Sequence, residues 1–111
     1  MSTATAAVRT ASLPQEPFRT ELERLRKDCL RNRELGWAAV GRFPDPVMLA
    51  RTRRLDMDLD KIEAALARLE AGTYGACIHC GRQISSKRLT ALPYISGCNR
   101  CMRALQESAT G

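Results

Sequence analysis

The sequence has no long apolar run. None of its segments approaches the roughly 20 consecutive apolar residues that a membrane-spanning helix needs, and no compact apolar stretch follows a basic start in the manner of a secretory signal. We therefore expect a cytoplasmic protein that has no membrane partner.

Histidine and aromatic residues are scarce as well. The 111 residues include one histidine, and aromatic residues make up 5% of the chain. No serine or cysteine has an obvious general base near it in sequence, and no glycine-rich loop suited to holding a phosphate is present. These absences argue against an enzyme.

The middle of the chain carries two runs of residues at alternating steps of three and four, the spacing of a coiled-coil seam. The first run consists of Phe18, Leu22, Leu25, Cys29 and Asn32. The second consists of Leu55, Leu59, Ile62, Leu66 and Leu69, and it is extended backwards by Met48 and Thr52. The two runs predict two long helices.

The two predicted helices are separated by "GWAAVGRFPDP", whose two glycines and two prolines predict that the helix fails from Gly36 and that the chain reverses. We therefore predict an antiparallel coiled-coil hairpin over residues 14–71, with its tip around residues 37–50 and a second helix from about Val47 to Ala71. Residues 1–13, rich in Ala, Ser and Thr, are predicted to form a disordered tail.

Four of the five cysteines form two Cys-x-x-Cys pairs: Cys77, Cys80, Cys98 and Cys101. Because cytosolic thiols are normally kept reduced, such pairs favour a metal site over disulfides, and the spacing falls in the range of a structural zinc site. Four thiolates complete a tetrahedral shell and leave no open position for catalysis. We expect one structural Zn²⁺, with His79 a bystander, and Cys29 on the first seam is predicted to be a buried apolar residue.

The predicted fold class is therefore mainly α: an antiparallel coiled-coil hairpin followed by a small four-cysteine zinc finger with a short C-terminal helix, over residues 72–111. That segment also carries most of the net charge of +6. Its basic residues either form a nucleic-acid patch or offset the negative zinc-tetrathiolate centre. Since Tyr74 and Tyr94 are its only aromatic residues, we favour the second interpretation, and sequence-specific DNA binding is not expected.

The stretch "GTYGACIHCGRQISSKRLTALPYISGCNRC", with "IEAALARLEAGTYG" leading into it, resembles the signature of the DksA/TraR family of bacterial regulators. Besides the four cysteines, the matching residues are Gly72, Tyr74, Gly75, Gly81, Ile84, Arg88, Leu89, Ala91 and Pro93. The resemblance is close over about the last fifty residues, and the predicted hairpin agrees with the family in architecture.

Members of this family bind RNA polymerase and insert the hairpin tip into its secondary channel, often acting together with the alarmone ppGpp. The resemblance implies a transcription regulator that modulates initiation, with RNA polymerase as its partner and ppGpp as a candidate second ligand. We expect such a protein to act as a monomer. Two other classes stay open: a basic zinc finger that binds nucleic acid, and a coiled-coil module that self-associates through its seam.

The family's tip carries Asp-x-x-Asp-x-Ala, and in this sequence Asp45, Met48 and Ala50 stand at the corresponding positions. The second acid is therefore replaced by Met48. Together with Arg42 and Arg51, these residues form the expected polymerase-contacting tip. An ordinary structural interpretation stays open beside it.

In that interpretation, Asp45 before Pro46 is a helix N-cap and Met48 is a seam residue. The arginines are then a solvated helix face. For Trp37, the only tryptophan, we favour a role in closing the end of the hairpin over a role as an interface anchor.

Overall fold

The structure, a computed structural model, describes residues 15–110, with side chains through residue 108. The predicted tail over residues 1–13 lies outside this range. Four helices form, and they are α1 (Gln15–Arg42), α2 (Pro46–Ala71), α3 (Ser86–Ala91) and α4 (Asn99–Thr110). In residues 15–110 the only β-pairing is an isolated antiparallel bridge between Ala76 and Gln83, so the mainly α fold class is confirmed. No described helix is both long and apolar enough to cross a membrane.

Helices α1 and α2 form the antiparallel hairpin that the two seams predict. Ion pairs across the hairpin follow the antiparallel order, because the partner's number falls as the arginine's number rises. The pairs are Arg19 with Glu70 at 3.0 Å, Arg26 with Glu63 at 3.2 Å and Arg33 with Asp56 at 3.6 Å. All three are substantially exposed, so each is expected to set the register more than to stabilise the fold.

The seam between the helices is apolar over most of its length. Its buried side chains include Phe18, Leu22 and Cys29 on α1, and Leu59, Ile62, Ala65 and Leu69 on α2. The spacing predicts Asn32 on the first seam, but the structure leaves it exposed, and Gly36 is the buried residue that continues the seam after Cys29. An amide buried in the seam without a partner would be costly, whereas exposure satisfies it with water.

The prediction that the helix fails from Gly36 is wrong. Helix α1 runs through Gly36 and Gly41 to Arg42, and the chain reverses over residues 43–45 alone. Gly36 is buried against the other helix, where a Cβ atom would stand 2.5 Å from the Oγ1 atom of Thr52. Glycine costs a helix about 1 kcal/mol relative to alanine, and here it permits a close approach of the two helices.

Helix α2 begins and ends at residues suited to those positions. The carboxylate of Asp45 accepts a hydrogen bond from the backbone N–H of Val47 at 3.2 Å, and Pro46 occupies the first turn, so Asp45 is the N-cap. Gly72 ends the helix in the left-handed region, at φ 78°, which only glycine adopts readily. The predicted bounds of this helix, Val47 and Ala71, are correct to within one residue.

The segment after Gly72, called the finger below (residues 72–111), packs against the open end of the hairpin. The rings of Phe18 and Tyr74 have centroids 5.5 Å apart, and the Tyr74 hydroxyl donates to the Pro93 carbonyl oxygen at 2.8 Å. Tyr74, Ile84 and Leu89 share one buried cluster with the hairpin seam. The finger and the base of the hairpin therefore have a common core.

Candidate metal centre and hairpin tip

The first cysteine pair lies in a tight turn between two backbone contacts. The N–H of Cys77 donates to the Arg82 carbonyl at 2.8 Å, and the N–H of Gly81 donates to the Cys77 carbonyl at 2.9 Å. Gly81 has φ 78°, so the turn requires a residue that tolerates the left-handed region. Inside the turn, the N–H of His79 points at the Cys77 sulfur at 3.4 Å.

The second pair lies where helix α4 begins. The N–H of Cys101 donates to the Cys98 sulfur at 3.5 Å. This turn is positioned by Arg88 of helix α3, whose guanidinium donates to the Gly97 carbonyl at 3.1 Å. The N–H of Ile78 in the first turn also donates to the Ser96 carbonyl at 3.0 Å, so the backbone joins the two turns directly.

The two turns bring all four predicted ligands together. The sulfur atoms of Cys77, Cys80, Cys98 and Cys101 all lie within 4.8 Å of one another. In a tetrahedral site with Zn–S bonds of about 2.3 Å, sulfur atoms are about 3.8 Å apart, and the Cys80 and Cys98 sulfurs are separated by 3.7 Å. Both the donor set and this spacing fit a structural zinc ion.

The local environment lowers the pKa of two of the clustered thiols and raises that of a third. Burial opposes ionisation of the Cys77 thiol, but hydrogen bonds from the backbone of Cys98 and Cys80 outweigh it and lower the pKa of Cys77 to about 6. A hydrogen bond from the backbone of Cys101 likewise lowers the pKa of Cys98. The Cys101 thiol, which is hydrogen-bonded to Cys98 and then Cys80, has its pKa raised to about 12. The Cys77 and Cys98 thiols therefore lose their protons more readily than the Cys101 thiol.

The remaining cysteine and the histidine stand apart from this cluster. His79 is exposed and is not among the clustered ligands. Cys29 is buried in the hairpin seam, where its thiol donates to the Leu55 carbonyl at 3.1 Å. Burial raises the pKa of Cys29, so this thiol stays protonated. Its position agrees with the prediction of a small buried residue.

At the other end of the hairpin, the expected tip residues differ in exposure. Asp45 lies in the turn, where its carboxylate caps helix α2. Met48 is half-buried, while Ala50, Arg42 and Arg51 are exposed. The tip therefore presents two of its arginines to solvent, and the residue at the position of the family's second acid faces partly inward.

Phe43 is a tip residue that sequence analysis missed. It is 76% exposed at the point where helix α1 ends, and it is more exposed than any other large apolar residue in the described part of the chain. In the sequence, Phe43 is recognisable as an aromatic residue directly before a proline in a predicted turn.

Trp37 does not close the hairpin, since helix α1 continues for five residues beyond it. Trp37 is 39% exposed and lines a groove on the side of the hairpin with Leu30 and Asp60.

Comparisons with known proteins show what the chain resembles in sequence and in structure. No family model matches the chain. A protein of Aquifex aeolicus, described only as uncharacterized, is 42% identical over 53 residues, which cover 47% of this chain and 37% of that protein. The chain thus matches little more than a third of the length of this relative.

The solved structure of the transcription factor DksA2 from Pseudomonas aeruginosa superposes with a TM-score of 0.75. The alignment covers 87% of this chain and 86% of DksA2, at 25% sequence identity. The chain has the DksA fold. The DksA fold extends over both hairpin and finger, and the family resemblance seen in the sequence is confirmed.

A second solved structure, that of the RNA polymerase binding protein and transcriptional regulator Dks from Chlamydia trachomatis, aligns at a TM-score of 0.42 with 22% identity. That alignment covers 83% of this chain and 94% of the Dks chain.

Proposed function

We propose that this protein is a transcription regulator that binds RNA polymerase and inserts the tip of its hairpin into the secondary channel to modulate initiation. The observation that carries the proposal is the DksA fold, which extends over hairpin and finger together. The family resemblance in the finger sequence supports the same function independently. In this role the protein acts by binding and not by catalysis.

The shape of the hairpin suits insertion into a channel. Helix α1 has 28 residues and helix α2 has 26, so at 1.5 Å per residue the rod is on the order of 40 Å long. Only residues 43–45 separate the two helices, which makes the end of the rod narrow. We propose the corresponding division of the chain into a hairpin over residues 14–71 and a finger over residues 72–111.

The finger is proposed to hold one structural Zn²⁺ through Cys77, Cys80, Cys98 and Cys101. When bound, the ion would cross-link the two cysteine turns. Arg88 and Tyr74 connect those turns to the rest of the molecule through their hydrogen bonds to Gly97 and Pro93. The finger would thereby set the angle at which the hairpin leaves its base.

The tip is proposed to act differently from one that carries two acids. Asp45 is the single carboxylate in the turn, and it also caps helix α2. Met48 carries no charge, so any regulatory effect that depends on two tip acids should be weaker here. Polymerase affinity need not be weakened by the loss of the second acid. The exposed Arg42 and Arg51 are proposed to contact carboxylates of polymerase or the phosphates of ppGpp.

The first experiment is binding of the full chain to core RNA polymerase without DNA, with a transcript-cleavage factor that uses the secondary channel as competitor. We expect binding, and we expect the competitor to displace the protein. Absence of binding would contradict the proposal. Affinity for bare nucleic acid that falls steeply with salt would then favour a nucleic-acid-binding finger, and a stable dimer in sedimentation would favour self-association.

A further inference from the structure

Phe43 stands out at the end of the hairpin because it is an aromatic residue with little to pack against. Its exposed fraction is 76%, and that of Val47, in the first turn of helix α2, is 59%. Pro44 and Pro46 between them are also exposed. The end of the rod is therefore mostly apolar, with the exposed carboxylate of Asp45 between the two prolines. We call Phe43, Pro44, Pro46 and Val47 the apex.

The apex is held in one conformation by its backbone. The N–H of Phe43 donates to the Ala39 carbonyl at 2.8 Å, and the Asp45 cap fixes the first turn of helix α2. The two prolines restrict φ on either side of Asp45. Because the chain is already ordered, burying Phe43 against a partner would cost little backbone entropy, which is the condition for an effective anchor.

Positive charge surrounds the apex. Between residues 37 and 55 the chain has four arginines, and Asp45 is the single acid. Arg54 pairs with Asp58 at 3.6 Å. Among the described residues, no carboxylate lies within ion-pair distance of Arg42, Arg51 or Arg53. Arg19, Arg26 and Arg33, nearer the base of the hairpin, each pair with a carboxylate of helix α2.

We infer that the hairpin binds its target by inserting Phe43 into an apolar pocket rimmed by carboxylates, with the unpaired arginines contacting that rim. This inference rests on the proposed function and names the contact chemistry of the same tip. The apolar residues of the apex require an apolar pocket. The excess of arginine over acid near the apex requires a negatively charged rim, by charge complementarity. The partner is an acidic protein surface, and not a nucleic acid or a second copy of this chain.

The test is the affinity of the full chain for core RNA polymerase, measured for the wild type and for Phe43→Ala. Removing a buried phenyl ring should weaken binding by roughly 10- to 100-fold. Phe43→Leu should recover much of that loss. The matched control is Leu105→Ala, because Leu105 is an apolar residue that is 49% exposed and lies on helix α4 of the finger, away from the hairpin tip. Leu105→Ala should leave the affinity unchanged within about twofold, the effect typical of a surface change remote from a contact.

The arginines are tested by salt dependence. The double variant Arg51→Gln with Arg53→Gln should bind more weakly at low salt and should show a shallower loss of affinity as salt rises. The unfolding temperature of each variant should equal that of the wild type, as expected for side chains this exposed. A change in affinity can then be assigned to the contact and not to a loss of folded protein.

The outcomes separate this inference from the proposed function. If the wild type binds polymerase and Phe43→Ala binds equally well, the inference is overturned and the proposed function stands. If the wild type does not bind polymerase at all, the proposed function fails first. If Phe43→Ala instead abolishes a dimer of this chain or its affinity for nucleic acid, the apex has a different occupant and the inference is likewise overturned.

Discussion

The ring of Phe18 on helix α1 lies 5.5 Å from the ring of Tyr74 in the finger, and their planes meet at 46°. This contact joins the first helix of the hairpin to the segment that carries the cysteines. Tyr74 is fully buried, and its hydroxyl is satisfied by the Pro93 carbonyl. The metal centre and the rod are therefore coupled through an aromatic pair, and a change at one is expected to affect the stability of the other.

Tyr74 makes the stability of the fold sensitive to alkaline pH. Burial raises the pKa of Tyr74 to about 12, whereas an unfolded tyrosine titrates near 10. The folded state holds this proton more tightly, so its contribution is complete below about pH 10 and is lost as pH rises toward about 12, amounting to about 2 to 3 kcal/mol. Chemical unfolding of the metal-loaded protein at a series of pH values measures the loss.

The control for Tyr74 is Tyr74→Phe, which keeps the ring contact and removes the ionisable hydroxyl. At neutral pH it should lose about 1 kcal/mol, because the hydrogen bond to Pro93 is gone. As pH rises above about 10 the stability difference should shrink and then reverse, because only the wild type titrates at residue 74 and its loss of about 2 to 3 kcal/mol exceeds the hydrogen bond's roughly 1 kcal/mol. A constant difference between them at all pH values would show that Tyr74 does not contribute this dependence.

Gly36 should not tolerate a side chain. Gly36→Ala places a Cβ atom 2.5 Å from the hydroxyl of Thr52, which is buried and donates to the Met48 carbonyl at 2.8 Å. The strain should cost about 1 to 3 kcal/mol, more than the roughly 1 kcal/mol of helix propensity gained. Denaturant unfolding should therefore show a net loss of stability.

Two variants make the Gly36 test specific. Gly41 lies in the same helix with no atom near its Cβ position, so Gly41→Ala should stabilise by about 1 kcal/mol. Adding Thr52→Ala to Gly36→Ala should restore much of the loss by removing the obstructing hydroxyl. If Gly36→Ala proved as stabilising as Gly41→Ala, the close approach of the helices would be disproved.

Asp45 combines a capping role with a proposed regulatory role, and two substitutions separate them. Asp45→Asn keeps a good N-cap and removes the charge, whereas Asp45→Ala removes both, at a cost of about 1 kcal/mol. If the charge acts on polymerase, both variants should lose transcriptional regulation while polymerase affinity stays within a few fold. Regulation that survives in Asp45→Asn but fails in Asp45→Ala would mean that only the cap matters.

Zinc binding should depend on the four clustered cysteines and not on the fifth. Cys77→Ser or Cys98→Ser should lose bound zinc and lower the unfolding temperature of the finger, because metal binding and folding are coupled. Cys29→Ser is the matched control, since Cys29 lies in the seam and outside the cluster. Zinc per chain is measured after dialysis; a Cys77→Ser protein that still holds one zinc would contradict the assignment.

The sequence alone determined the features that depend on spacing along the chain. The two seams followed from steps of three and four, because the α-helix has a fixed period. The cysteine cluster followed from two Cys-x-x-Cys turns, and the start of helix α2 followed from Asp45 before Pro46. Each of these needs only a few neighbouring residues to be recognised.

Tertiary structure decided the features that depend on a residue distant in sequence. The glycine at position 36 predicts a helix break, yet helix α1 continues through it, and Thr52 on the opposite helix occupies the space that a side chain there would need. With the helix extended to Arg42, the turn shortens to residues 43–45 and Phe43, not Trp37, stands at the end of the rod. Local pattern predicts where a helix can form, but the surface it packs against decides where it ends and which side chains remain exposed.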